Sequence, residues 1–228
     1  MPKVPHKTII SELTSNNENK RKKALKRLAS IPEDIDYEDS EFIPNPRALR
    51  KHIPKLAHLL KTHHSLEVRT WCAQYLGDLG QHSDESVEAL RITIRESKDD
   101  HLIATCVYAL GNYGAAAAAA VPDLLRLAKN ADYEVRWRIA HAVDLIGHVL
   151  PRDVKLLTKL LDDPEALVRG YASGALLKWV KPSIKVLKKA MLIAKKDQDS
   201  FAAWEAHALA ESWAKALNVK YDLCGMRP

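Results

Sequence analysis

The sequence is poor in what most alternatives to a packed helical protein require. It has 8 glycines, 11 prolines and 2 phenylalanines in 228 residues, against 46% hydrophobic and 28% charged side chains. That balance excludes disordered, collagenous and disulfide-scaffold chains. Cys72, Cys106 and Cys224 lie far apart with no CxxC pair, so neither a disulfide framework nor a cysteine-based zinc site is indicated. No apolar run reaches membrane-spanning length, and Met1 to Lys7 lacks the apolar stretch of a secretory signal, so a soluble, cytoplasmic protein is expected. HExxH, HxH, P-loop, GxGxxG and GxSxG motifs are all absent. Histidines such as His58, His63, His64, His141 and His207 read as surface or helix-end residues. No cofactor, metal or catalytic constellation is expected.

What is present is a repeat. EVRTWCAQYLGDLG from Glu67, HLIATCVYALGNYG from His101, EVRWRIAHAVDLIG from Glu134, LVRGYASGALLKWV from Leu167 and SFAAWEAHALAESW from Ser200 align at spacings of 34, 33, 33 and 33. Val68, Cys72, Leu76 and Leu79 recur as Leu102, Cys106, Leu110 and Tyr113, then Val135, Ile139, Val143 and Ile146, then Val168, Ala172, Leu176 and Trp179. Offsets of 4, 4 and 3 trace one face of a helix. Amphipathic segments precede each of these helices, namely His52 to His63, Glu85 to Ser97, Ala120 to Asn130, Arg152 to Asp163 and Pro182 to Lys196. Pro122 and Pro182 suit a first helical turn, and Gly80, Gly114 and Gly147 suit helix ends. Strand alternation is absent, so the fold class is all-α. A hairpin with two apolar faces cannot bury both alone, which predicts stacking.

The segments divide as residues 1–31, a basic pair of capping helices; 32–48, an acidic proline-bearing loop; 49–218, five repeats; and 219–228, a tail. Residues 1–31 carry 8 basic and 2 acidic side chains, residues 32–48 carry 1 and 6, and residues 181–228 carry 9 and 5. The central 49–180 is balanced at 17 to 16, so the net charge of +6 is terminal rather than spread along the repeats. A channel for nucleic acid would concentrate positive charge along the surface that follows the backbone. Asp34 and Asp36 have calcium-loop spacing without the glycine such a loop needs, so a solvated loop is expected.

The pattern VPxLLxLxxxxxxxVRxxAxxxLxxxG, carried by Val121, Pro122, Leu124, Leu125, Leu127, Val135, Arg136, Ile139, Val143 and Gly147, resembles the HEAT repeat, in particular the short bacterial type named after phycobilisome lyases. The resemblance covers roughly Leu49 to Leu217. It implies a right-handed α-solenoid of five to six helical hairpins whose second helices line the concave side. On those helices the stripe expected to face solvent runs through Trp71, Gln74 and Asp78; Thr105, Tyr108 and Asn112; Arg138, His141 and Leu145; Tyr171, Gly174 and Lys178; and Trp204, His207 and Glu211. Trp, Tyr and Arg recur there, as they do in binding hot spots, so this stripe is the expected protein-binding surface. Arg69, Arg136 and Arg169 follow the repeat valine and are expected to pair with an acid of a neighbouring repeat, such as Asp132 or Glu165.

The function expected from this resemblance is a noncatalytic scaffold that binds a protein partner as adaptor, chaperone or inhibitor, including toxin immunity. The alternative is nucleic-acid binding, with HEAT-like glycosylases that excise alkylated bases as its enzymatic form. Trp137, His141 and Asp144 invite that comparison, although Asp144 stands where other repeats have Gly77 and Gly111. A bilin-lyase role is suggested by nothing beyond the name of the repeat type.

Overall fold

A computed structural model describes residues 53–220, apart from 81, 130 and 198–200, together with isolated positions between 11 and 24. The expected capping helices, save those positions, the acidic segment and most of the tail lie outside the described residues.

Among the described residues the chain is helical, without a strand. The hairpins are α1 (Ile53–Thr62) with α2 (Leu66–Asp78), α3 (Asp84–Glu96) with α4 (Asp100–Asn112), α5 (Val121–Leu127) with α6 (Tyr133–Ile146), α7 (Val154–Lys159) with α8 (Ala166–Trp179), and α9 (Ile184–Lys196) with α10 (Phe201–Ala216). Two 3-10 segments, Gly114–Ala120 and Leu160–Asp162, lead into α5 and extend α7. Local chemistry sets the boundaries. Ser65, Ser83, Asp99 and Asp132 each accept a bond from a first-turn backbone N–H, supplying partners that a helix start lacks. Gly147 ends α6 at φ 71°, a left-handed conformation that costs glycine little. Pro122 sits in the first turn of α5, whereas Pro182 precedes the Ser183 N-cap of α9 and so lies outside the helix.

Each even-numbered helix packs on the next even-numbered one, and the odd-numbered helices form a second layer behind them. Contact is more extensive in the even layer, as expected of the layer on the inside of a solenoid's bend. Small residues permit this approach. A Cβ added to Gly77 would lie 2.9 Å from Ala109 Cα, and one added to Gly111 would lie 3.4 Å from Ala142 Cα.

The core columns fall where the periodicity puts them: Val68, Cys72 and Leu76, Leu102, Cys106 and Leu110, Val135, Ile139 and Val143, and Val168, Ala172 and Leu176 are all buried. Cys72 and Cys106 are free thiols, and burial pushes that of Cys72 up to about 12 and raises that of Cys106 as well. The fourth position of the column is less regular. Leu79 is half-buried and Trp179 is 44% exposed, because Trp179 lies over Gly147 and donates from Nε1 to the Asp144 carbonyl at 3.0 Å. In the last repeat the buried positions are Ala202, Ala206 and Ala210, so the spacing from Val168, Ala172 and Leu176 is 34 rather than 33.

The repeat arginines are structural, with partners other than those expected. Arg136 binds Asp163 through Nε and Nη2 at 2.8 and 3.1 Å, and Arg169 binds Asp197 through the same atoms at 3.1 and 2.7 Å. Each aspartate lies shortly before the next even-numbered helix, so each pair ties consecutive repeats together. Asp132 instead caps α6. Arg69 differs: its Nε donates to Leu60 O at 2.7 Å within its own hairpin. Ile103 occupies the arginine position of the next repeat, so this arginine column joins only the later hairpins, and the second and third are tied instead by Arg91 of α3, whose Nε meets the buried Asp123 of α5 at 2.9 Å.

Candidate functional site

The expected stripe lies on the solvent side of the even layer, with two corrections among its members. Thr105 is buried at 8% exposure and its hydroxyl donates back to His101 O at 2.8 Å, so it offers nothing to a partner. Gly174 is also buried. Trp71 and Tyr171 are half-buried and packed on the core, whereas Tyr108 and Trp204 stand out at 45% and 67% exposure. Arg138, His141 and His207 are half-buried, and Asp78, Asn112, Lys178 and Glu211 are exposed. Because the last repeat is one residue late, Glu205 rather than Trp204 shares the column of Tyr171.

Over α2 and α4 the surface is polar and self-bonded. Asp78 accepts from Gln74 Nε2 at 2.8 Å and from the Tyr108 hydroxyl at 3.4 Å, while Asn112 Nδ2 reaches Gly77 O at 3.4 Å. Burial raises the Asp78 pKa, and these two side-chain donors oppose it. The glycines here lie between helices and leave no room for a side chain.

Over α6, α8 and α10 the arrangement reverses. Asp144 takes the junction position held by Gly77 and Gly111, and the glycines move across to α8. A Cβ on Gly170 would lie 2.5 Å from Phe201 Cδ1, and one on Gly174 would lie 3.1 Å from Glu205 Oε2 and 3.9 Å from Asp144 Oδ1. Gly170 and Gly174 are one helical turn apart, as are Phe201 and Glu205, so two side chains of α10 seat on two glycines of α8. The missing side chain at Gly174 therefore lets carboxylates of α6 and α10 approach the same point. Lys178 Nζ meets Asp144 Oδ2 at 2.8 Å, and Asp144 Oδ1 is a buried oxygen with no hydrogen-bond partner.

Beside these carboxylates runs a row of rings. Tyr171 is its hub, stacked on Trp137 with centroids 6.2 Å apart, tilted against His141 at 4.5 Å and meeting Phe201 edge-on at 5.0 Å. Arg138 covers the far face of the row, its Cζ 4.5 Å from the Trp137 ring centroid, and is itself held by Glu134. Burial lowers the His141 pKa, which favours the neutral imidazole. Burial raises the Glu205 pKa, with Asp144 adding to the shift and Lys178 opposing it.

Along this face Asp78, Glu134, Asp144, Glu205 and Glu211 outnumber Arg138, Lys178 and, one turn beyond Glu211, Lys215, so the inner face carries more acidic than basic side chains although the chain is basic overall. Among the described residues no group of three or more His, Cys, Asp and Glu side chains is placed to hold a metal ion. No described helix is long and apolar enough to cross a membrane. Phe201 and Glu205 escape a reading by fixed period, because a one-residue slip moves them off the stripe. The signal that finds them is the pair of glycines in α8, set against the bulkier side chains of α10.

These features define an α-solenoid scaffold, a class of fold that is typically noncatalytic and commonly binds proteins. Residues 87–177 match the family model described as HEAT repeats. No curated protein matches it in sequence. Solved structures share the fold. An engineered protein from a structural-genomics consortium is 20% identical, with a TM-score of 0.64 over 91% of this chain and 97% of that one. A designed armadillo repeat protein in complex with the peptide (KR)4 is 17% identical, with a TM-score of 0.66 over 93% of this chain and 100% of the other. A second designed armadillo repeat protein is 19% identical, with a TM-score of 0.64 over 92% and 100%.

Proposed function

We propose that this chain is a noncatalytic scaffold that holds a segment of a protein partner against the inner face of its even-numbered helices. The observation that carries the reading is the uninterrupted face itself. Aromatic side chains recur on successive repeats, with Tyr108 and Trp204 exposed and Trp137 and Tyr171 half-buried and stacked on each other. Large rings bury much area at small entropic cost, which suits a binding surface. The peptide-bound designed armadillo protein supports the geometry, since its similar fold accommodates a peptide. Adaptor, chaperone and inhibitor are three uses of such a face, and toxin immunity is one form of the third. Work in a reducing cytoplasm fits the free buried thiols of Cys72 and Cys106.

The variant Tyr108→Ala/Trp204→Ala tests this reading, because both side chains are exposed and their loss should leave the melting temperature near that of the parent. A stoichiometric protein captured from native lysate after nuclease treatment should be lost by the double variant. Undiminished capture by a folded double variant would remove the inner face from consideration. The nucleic-acid alternative draws on the approach of Trp137 and His141 to Tyr171 beside Asp144. The acidic balance of the face opposes it, since phosphates would meet carboxylates. Duplex binding at low salt that is abolished by salt and by Trp204→Ala would reverse that judgement.

A further inference from the structure

We infer that the partner presents a basic side chain, arginine or lysine, to the carboxylates of Asp144 and Glu205, with its flat or aliphatic part resting on the Tyr171 row. This inference rests on the inner-face reading above and names the chemistry recognised there. Three observations carry it. Asp144 and Glu205 arrive from different helices and fill the space a side chain would take over Gly174, and Lys178 is the cation beside them, so the trio carries one uncompensated negative charge. One oxygen of Asp144 is buried without a hydrogen-bond partner, an arrangement that leaves a strong acceptor unused. The rings of Trp137, His141 and Tyr171 stand alongside, and the Arg138 guanidinium already lies over Trp137, so this row accepts cations on its faces. A guanidinium suits the site best, since its planar fork satisfies carboxylates and stacks on rings at once.

Each feature depends on the glycines. With alanine in place of Gly174, its Cβ would lie 3.1 Å from Glu205 Oε2 and the two carboxylates would be held apart. At the equivalent junction of α2 and α4, glycine faces alanine and no charge enters. The site is thus local to the later repeats.

The experiment titrates the full chain with a short capped peptide alternating arginine with alanine, and with two analogues in which glutamine or glutamate replaces arginine. Intrinsic tryptophan fluorescence reports binding, and thermal unfolding checks the fold of every variant. The arginine peptide should bind, weaken with added salt, and lose about tenfold in affinity in Glu205→Gln and in Asp144→Asn. The decisive variant is Lys178→Met. Removing the resident cation should tighten the arginine peptide by about threefold or more, since a like charge no longer competes for the carboxylates, whereas a merely structural lysine would give weaker binding or none. Equal binding of the glutamine analogue, or affinity unchanged in both carboxylate variants, overturns the inference and leaves the scaffold reading standing. Failure of all three peptides to bind at millimolar concentration overturns it too. The scaffold reading fails separately, through undiminished partner capture by the Tyr108→Ala/Trp204→Ala variant.

Discussion

The junction of α2 with α4 and the junctions of α6, α8 and α10 repeat one backbone arrangement and differ in where glycine stands. In the first, Gly77 presses on Ala109, the helices meet through their backbones, and the surface above is closed by Asp78, Gln74 and Tyr108 bonding to one another. In the second, Asp144 takes the glycine position, and Gly170 and Gly174 open the opposite helix to Phe201 and Glu205. A side-chain swap across an interface thus turns a packing seam into a place where charge and aromatic surface converge. The repeat fixes the layout, and the exceptions to it supply the chemistry.

The ladder of arginines gives the strongest way to break the comparison. Arg136→Ala leaves Asp163, at 8% side-chain exposure, without its bidentate partner, and should cost about 3 kcal/mol. Arg69→Ala removes a bond to one carbonyl and should cost about 1 kcal/mol. Urea denaturation of the two variants reads the difference, and equal losses would mean that the ladder does not bind later repeats more firmly than earlier ones.

Glycine replacement comes next. Gly170→Ala drives a Cβ to 2.5 Å from Phe201, and because that ring must move the cost should be about 2 kcal/mol. Gly80→Ala meets open space and bears only the strain of φ 56°, about 1 kcal/mol. The same change at two glycines thereby separates crowding from backbone strain, and a melting series ranks them.

Titration gives the smaller effects. Glu205 has a folded pKa above the ordinary 4.5, so its protonated form favours the fold at low pH and that contribution is lost as pH rises through the folded value. Glu205→Gln should therefore gain stability relative to the parent as pH increases from about 4 upward, and a constant difference between the two melting curves would contradict the burial of this carboxylate. His141 works in the opposite sense. Its folded pKa lies below the ordinary 6.5, so the stability it contributes is present at neutral pH and lost as pH falls. The variant His141→Gln should narrow the loss of melting temperature between pH 7 and pH 5.5, while the polar α2 and α4 end, probed by Asn112→Ala, should show no such change.

Much of the fold was legible because burial imposes a period. Val68, Cys72 and Leu76 and their counterparts are spaced as a helix requires, and small residues mark where helices meet, so hairpins and layers follow from spacing alone. The site was only partly legible. Tyr108, Tyr171 and Lys178 lie on the expected stripe, but Trp204 stands one residue off the column of Tyr171 and Thr105 follows the same arithmetic into the interior, since a stripe one residue wide cannot distinguish a helix's shoulder from its crest. Glu205 was missed because the last repeat gains one residue, and spacing cannot reveal a slip inside a segment where alanines surround every candidate position. The partners of Arg136 and Arg169 were misplaced because a long side chain selects among several nearby acids by three-dimensional reach. Asp163 and Asp197 win by lying beside the next hairpin, while Asp132 is already engaged at its own helix start.

The uneven ladder also gives the molecule uneven mechanics. A solenoid under load behaves as a coil spring whose turns are joined only to their neighbours, and here, among the described residues, Arg91 with Asp123, Arg136 with Asp163 and Arg169 with Asp197 cross-tie every junction after the first. The aromatic and acidic surface rides on the stiff turns, where its geometry is held ready, while the compliant junction between α2 and α4 absorbs deformation. Pulled from its two ends, the chain is expected to yield first between its first two hairpins, leaving the surface over α6 to α10 intact until the load rises further; a force trace in which the late hairpins release first would refute that order.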